Sequence, residues 1–368
     1  LEYKRMKPAG WFLHQLKHAL LLFLVALLLG GAPGAAAQTI TPPENPVFLP
    51  VVIQRGHTSL VPLPTDSYYF YMKTDPLAKA RALGCQLGER DKALPGKQES
   101  LVILAFGITK YQDGQYGASG MARGGFSTVD QIAEAVQQFG LGYWDCTDTD
   151  FDSRLTVAVG TNNYNHPGEY FQNLSVTFEH GRAWAQMVNK IHLWFQNVCP
   201  NRCNGQVSVM GANDIELAWS SPDDAYNWVK GYDSASNFPL INFGAAEGCP
   251  NACGGGGFYW TKDKVMRVTS EGSIYVLPQI YRPDGHNAKQ WHELSKYSVT
   301  RFGRPIDFAG ALSNYGACQQ YPNDKLCKEH VIDNTPEQAW TQLNNLVNGA
   351  TVYTHDDLPY LTDIRWTD

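Results

Sequence analysis

The feature that most limits how this chain can fold is an alternation of strand-like and helix-like segments from about residue 68 to the C-terminus. Short runs rich in β-branched, aromatic and small residues read as strands over 68–73, 101–107, 155–160, 207–216, 240–245, 274–281, 306–313 and 350–353. Helical patterns separate them at 76–83, 127–139, 178–198, 222–232, 261–269, 288–301 and 336–347. Helix starts carry the residue types that satisfy orphan N–H groups: Thr128 with Asp130, Ser221-Pro222-Asp223-Asp224, and Thr335-Pro336-Glu337. A strand–helix unit repeated about eight times in roughly 300 residues predicts a parallel sheet covered by helices. Eight repeats favour closure into a single-domain α/β fold, a (β/α)8 TIM barrel over 61–368, with an open doubly wound sheet as the alternative. No Gly-x-Gly-x-x-Gly follows the first strand, so a dinucleotide site gains no support.

The N-terminus reads as a secretory signal over 1–37: Lys7 and Lys17, an apolar run from Ala19 to Leu29, and small residues ending Ala35-Ala36-Ala37. Residues 1–5 ahead of Met6 read as an upstream extension, and 38–60 as an extended Thr- and Pro-rich lead-in. An uncleaved anchor is the alternative. Loss of 1–37 leaves 25 basic against 34 acidic residues, a formal charge of −9. That charge disfavours nucleic acid as a partner. The expected product is a monomer, secreted or cell-wall associated, with no stable membrane insertion after cleavage. Its 10 Trp and 19 Tyr suit stacking on flat sugar faces, or else simply fill a large core.

The eight cysteines fall into four local groups: Cys85 with Cys146, Cys199 with Cys203, Cys249 with Cys253, and Cys318 with Cys327. In an exported chain they read as up to four disulfides stapling loops. Two C-x-x-x-C units depart from the usual zinc spacing, and the oxidising compartment argues against a metal there.

The segment Val207 to Glu216 carries the clearest chemistry. Alternation puts Ser208, Met210, Ala212, Asp214 and Glu216 on one strand face, so two carboxylates project side by side from its C-terminal end. In a barrel, that end is where active sites lie. Neighbouring buried carboxylates repel, which lets one hold a proton near neutral pH as a general acid. Glu216 is the expected acid and Asp214 its electrostatic partner; ion pairing or capping of the next helix is the bland alternative. Asn163 and Tyr164 after the third strand, Trp219 after the fourth, Glu247 after the fifth, and Gln279 and Tyr281 on the sixth are the expected substrate contacts. Glu247 and Asp307 are the candidates for a second carboxylate.

The GANDIE strand, the NFGAAEGC strand, the VLPQIY strand followed by NAKQWHEL, and the closing DIRW resemble a family of secreted bacterial proteins with a glycoside-hydrolase-like barrel and no assigned substrate. More distantly, Asp214-x-Glu216 resembles the acid pair of family 25 lysozymes and the end of the family 18 chitinase signature. Met210 and Ala212 stand where the chitinase pattern has further Asp residues. The resemblance implies a glycan substrate and carboxylate chemistry.

Other motifs lead less far. Asp148, Asp150 and Asp152 begin like a calcium loop, yet Ser153 and Val159 replace its Gly and Glu; no other cofactor is expected. His286, His292 and Glu293 lack zinc-helix spacing, and neither Ser208 nor Ser313 lies in a G-x-S-x-G elbow. Asn173-Leu174-Ser175 fits a glycosylation acceptor. The leading expectation is a secreted glycoside hydrolase; the alternatives are a non-catalytic carbohydrate-binding barrel and a structural envelope protein.

Overall fold

The computed structural model of the chain describes residues 61–121, 125–165, 175–349 and 358–367. The chain forms two units, Leu1–Val52 and Ile53–Asp368, and every described residue belongs to the second. The expected signal (1–37), the lead-in (38–60), the strand at 350–353 and Asn173-Leu174 lie outside the described residues.

The order is β1 (Thr65–Phe70), α1 (Pro76–Ala93), β2 (Glu99–Gln112), β3 (Gln115–Ser119), β4 (Phe126–Thr128), α2 (Val129–Thr147), β5 (Arg154–Asn162), α3 (Phe178–Asn197), β6 (Val207–Asp214), α4 (Pro222–Asp233) and β7 (Leu240–Asn242). Then come β8 (Gly254–Gly255), β9 (Phe258–Tyr259), α5 (Lys262–Arg267), β10 (Ile274–Val276), α6 (His286–Phe302), β11 (Gly310–Ser313), α7 (Tyr315–Gln320), α8 (Lys325–Lys328), α9 (Pro336–Val347) and β12 (Tyr360–Thr367).

Eight parallel strands run β10-β7-β6-β5-β2-β1-β12-β11. Two isolated parallel bridges, Val276 to Phe308 and Gln279 to Leu312, bring the outer pair together. The result is a nearly closed eight-stranded parallel barrel in a mixed α/β chain. The last strand among the described residues is β12, which the sequence did not reveal. Asp363 and Arg365 interrupt the apolar pattern of β12 because they point away from the barrel interior: Asp363 accepts from Ser313 Oγ at 2.6 Å and the Gly316 N–H at 2.7 Å, and Arg365 pairs with Asp66 at 2.7 Å. The sequence also did not reveal the β2–β3–β4 meander or the short helices α7 and α8.

The helix starts form as expected. Thr128 and Thr335 each close a capping box, with Gln131 and Gln338, and Ser221 accepts from the Asp224 N–H. Inside the barrel, Leu101, Ile103, Ala158, Met210, Ala212, Phe243, Leu277 and Ile364 form one apolar core. A second core fills the shell between sheet and helices around Phe139, Trp184, Val209 and Trp228. Each large side chain buried this way contributes about 1.5–3 kcal/mol. Glycines let helices touch: a Cβ at Gly181 would lie 2.0 Å from the Trp228 carbonyl, and one at Gly231 lies 1.9 Å from that of Phe178, so α3 and α4 pack backbone to backbone.

All four local cysteine groups are disulfides: Cys85–Cys146, Cys199–Cys203, Cys249–Cys253 and Cys318–Cys327. The first ties α1 to α2. His180 on α3 is a buried clasp: its Nε2 bonds the Gly117 carbonyl on β3 at 2.8 Å, and its Nδ1 accepts from the Trp228 indole N–H at 2.9 Å. That pairing requires a neutral ring, and burial lowers its pKa to about 4.

Candidate active site

Strand β6 brings Met210, Ala212 and Asp214 to the barrel interior, as alternation requires, and ends with Asp214. Asp214 is 1% exposed and Glu216, two residues on, 6%. Three side chains hold Asp214. Tyr69 from β1 donates to Oδ2 at 3.0 Å, Gln279 donates to Oδ1 at 2.8 Å, and Glu216 hydrogen-bonds it as well. Glu216 in turn hydrogen-bonds Glu247, whose Oε2 accepts from the Leu217 N–H at 3.0 Å. The row Asp214, Glu216, Glu247 is therefore continuous.

Burial is the first reason that both Asp214 and Glu216 are shifted upward; a charge loses hydration that the site does not replace. The two then diverge. Hydrogen bonds from Tyr69, Glu216 and Gln279 favour charge on Asp214. Glu216 stands between two acids, and its bond to Glu247 together with the charges of Asp214 and Glu247 pushes it well above the usual carboxyl range. Glu216 is accordingly the proton holder of the row. Tyr69 and Tyr281 are raised by burial and by the charges of Asp214 and Glu216, so both remain neutral phenols.

The backbone around Glu216 is fixed from two sides. Asn163 is fully buried; its Oδ1 accepts from the Glu216 N–H and its Nδ2 donates to the Glu216 carbonyl, each at 3.0 Å, and to Ser220 Oγ at 2.7 Å. This corrects the expectation that Asn163 contacts substrate, because its amide is fully engaged within the chain. From the other side, Gly244 meets Ile215: a Cβ at Gly244 would lie 2.1 Å from the Ile215 carbonyl oxygen, so only glycine fits.

The remaining expected residues divide. Glu247, Gln279 and Tyr281 join the carboxylates, although Gln279 is itself buried against Asp214. Tyr164 and Trp219 are half-buried and meet edge to face at 5.9 Å, beside the loop that follows β6. Asp307 lies ahead of β11 and is exposed, so it is not a buried second carboxylate. Two residues escaped the sequence reading. Tyr69 ends the inward row Thr65, Ser67, Tyr69 of β1, and Trp366 of β12 stacks on it at 4.4 Å. A strand closing on an inward aromatic was the available signal for both.

Asp148 pairs with Lys92 at 2.8 Å, and Asp150 Oδ1 accepts from the Asp152 and Ser153 N–H groups, so these acids shape a turn. Among the described residues the one His/Cys/Asp/Glu group close enough to share an ion is Cys85, Glu89 and Cys146, and its cysteines are already joined to each other. No helix among the described residues is long and apolar enough to cross a membrane. No protein-family model matches the chain, and no curated protein matches it.

Proposed function

We propose that this chain is an exported glycoside hydrolase built on a (β/α)8 barrel, cleaving a polysaccharide or a peptidoglycan glycan. The observation that carries the reading is the row of acids at the end of β6, where burial and its two acidic neighbours push Glu216, between Asp214 and Glu247, well above the usual carboxyl range. Cleavage of a glycosidic bond needs a carboxylic acid to protonate the leaving oxygen and a carboxylate to meet the positive charge growing at the sugar. Glu216 has the first property. Asp214, held by Tyr69 and Gln279, has the second. Glu247 keeps the proton on Glu216 until substrate arrives, and serves as the second carboxylate. Tyr164, Trp219 and Trp366 offer aromatic faces for sugars. The four disulfides support export through an oxidising compartment.

The test is release of reducing ends from bacterial cell walls, chitin and plant and microbial polysaccharides by the chain from Gln38 onward, beside its Glu216→Gln variant. Release by the parent chain and not by the variant is the expected result. Full activity in the variant overturns the assignment, and glycan binding without release by either protein makes the chain a carbohydrate-binding barrel.

A further inference from the structure

Ion pairs are spread over the whole molecule. Asp66 meets Arg365, Asp91 meets Arg90, Asp130 meets Lys190, Asp148 meets Lys92, Asp223 meets Lys264 and Asp284 meets Arg282, at 2.6–3.7 Å. The acids at the end of β6 have no such neighbour among the described residues. Among the described residues, no Lys, Arg or His pairs with Asp214, Glu216 or Glu247, and the charges that act on Asp214 and Glu216 come from acids. Buried negative charge is stabilised by an opposite charge or by donors, and here it has neutral donors alone: Tyr69 and Gln279 on Asp214, and the Leu217 N–H on Glu247.

A second feature of the same place is independent of charge. Asn162 on β5 is the register partner of Asp214 on the neighbouring parallel strand, so both side chains leave the sheet on its inner face. Asn162 is 1% exposed. Its Oδ1 accepts from the Tyr164 N–H at 3.1 Å, while its Nδ2 is buried and has no acceptor. A buried amide donor of this kind calls for an oxygen. The site thus lacks a positive charge and, one strand away, an oxygen acceptor.

We infer that the substrate is a glycan of unacetylated amino sugars, whose 2-amino-2-deoxyhexose units carry free ammonium groups next to hydroxyl oxygens. Both missing groups then come from one sugar: the ammonium enters the carboxylate row, and an adjacent oxygen accepts from Asn162. An N-acetylated unit supplies no charge, and a uronic acid supplies the wrong one. The inference rests on the hydrolase reading for where the sugar lies, and its failure is separable from failure of that reading.

The experiment is calorimetric titration of the purified chain with pentamers of 2-amino-2-deoxyglucose, with the same pentamers fully N-acetylated, and with uronic acid pentamers, at pH 6 and two salt concentrations. The amine form is expected to bind about tenfold more tightly than the N-acetylated form, a preference that weakens at high salt and shrinks in Glu247→Gln. Equal or tighter binding of the N-acetylated pentamer overturns the inference, as does binding of none of the three. Reducing ends are assayed on the same pentamers. Hydrolysis without an amine preference retains the hydrolase and discards the amino-sugar substrate; an amine preference without hydrolysis does the reverse.

Discussion

Asn163 grips Glu216 by both of its backbone polar groups, accepting from the N–H and donating to the carbonyl of the same residue at 3.0 Å each. One buried side chain on the exit of β5 thereby sets where the proton holder on the exit of β6 begins. Asn163→Ala leaves both groups unmatched inside the protein, and the expected loss is about 2–4 kcal/mol in urea unfolding. Asn163→Asp retains the acceptor and loses the donors, so it should unfold earlier than the parent, with lower activity on any glycan that the parent cleaves.

The upward shift of Glu216 has a consequence for stability with a definite sign. The folded protein retains this proton over a pH range in which the unfolded chain has released it, so folding is favoured below the ordinary glutamate range and weakened above it. Glu216→Gln has no charge to bury. The variant should therefore melt higher than the parent at pH 8, and the two melting temperatures should converge as the pH falls towards about 4. A variant that melts lower at pH 8 would contradict a protonated, buried Glu216.

Gly244→Ala tests the other side of the same segment. The added methyl meets the Ile215 carbonyl oxygen, between Asp214 and Glu216, so the segment that carries both acids must shift. Catalysis is expected to fall about a hundredfold, because displacement of reacting groups by an ångström costs that much. Circular dichroism should show the fold retained.

His180 predicts the opposite pH trend. Its folded pKa, about 4, lies below the ordinary value of 6.5, so the unfolded chain takes up a proton that the folded chain refuses. Stability from this group is complete above pH 6.5 and declines on acidification towards pH 4, by about 3 kcal/mol in all. Chemical denaturation of the parent and of His180→Gln across pH 4–7 should show that slope in the parent alone.

The disulfides differ in how far they reach. Cys85–Cys146 spans 61 residues and Cys199–Cys203 spans four. Loop-closure entropy assigns roughly 4 kcal/mol to the first and roughly 2 to the second, so the Ser pair replacing Cys85 and Cys146 should lower the urea midpoint further.

Much of this was legible in the residues. The mixed α/β character, the capped starts of α2, α4 and α9, and the acid that ends β6 are local signals, and local signals survive in one dimension. β12 was hidden because Asp363 and Arg365 break its apolar pattern in order to serve α7 and β1. Asn163 was misjudged for a related reason: an Asn at a strand exit has the same composition whether it faces a sugar or a neighbouring loop. Tyr69 lies 145 residues from Asp214, and only the curl of the β6-β5-β2-β1 sheet brings them together.

The seam of the barrel is joined by two isolated bridges, Val276 to Phe308 and Gln279 to Leu312, and by the backbone hydrogen bonds on either side of them. The residue that helps to zip the cylinder is thus the residue that donates to Asp214. A fluctuation that parts the seam withdraws a hydrogen bond from a carboxylate and raises its affinity for a proton, so breathing of the wall is registered as a chemical change at its centre.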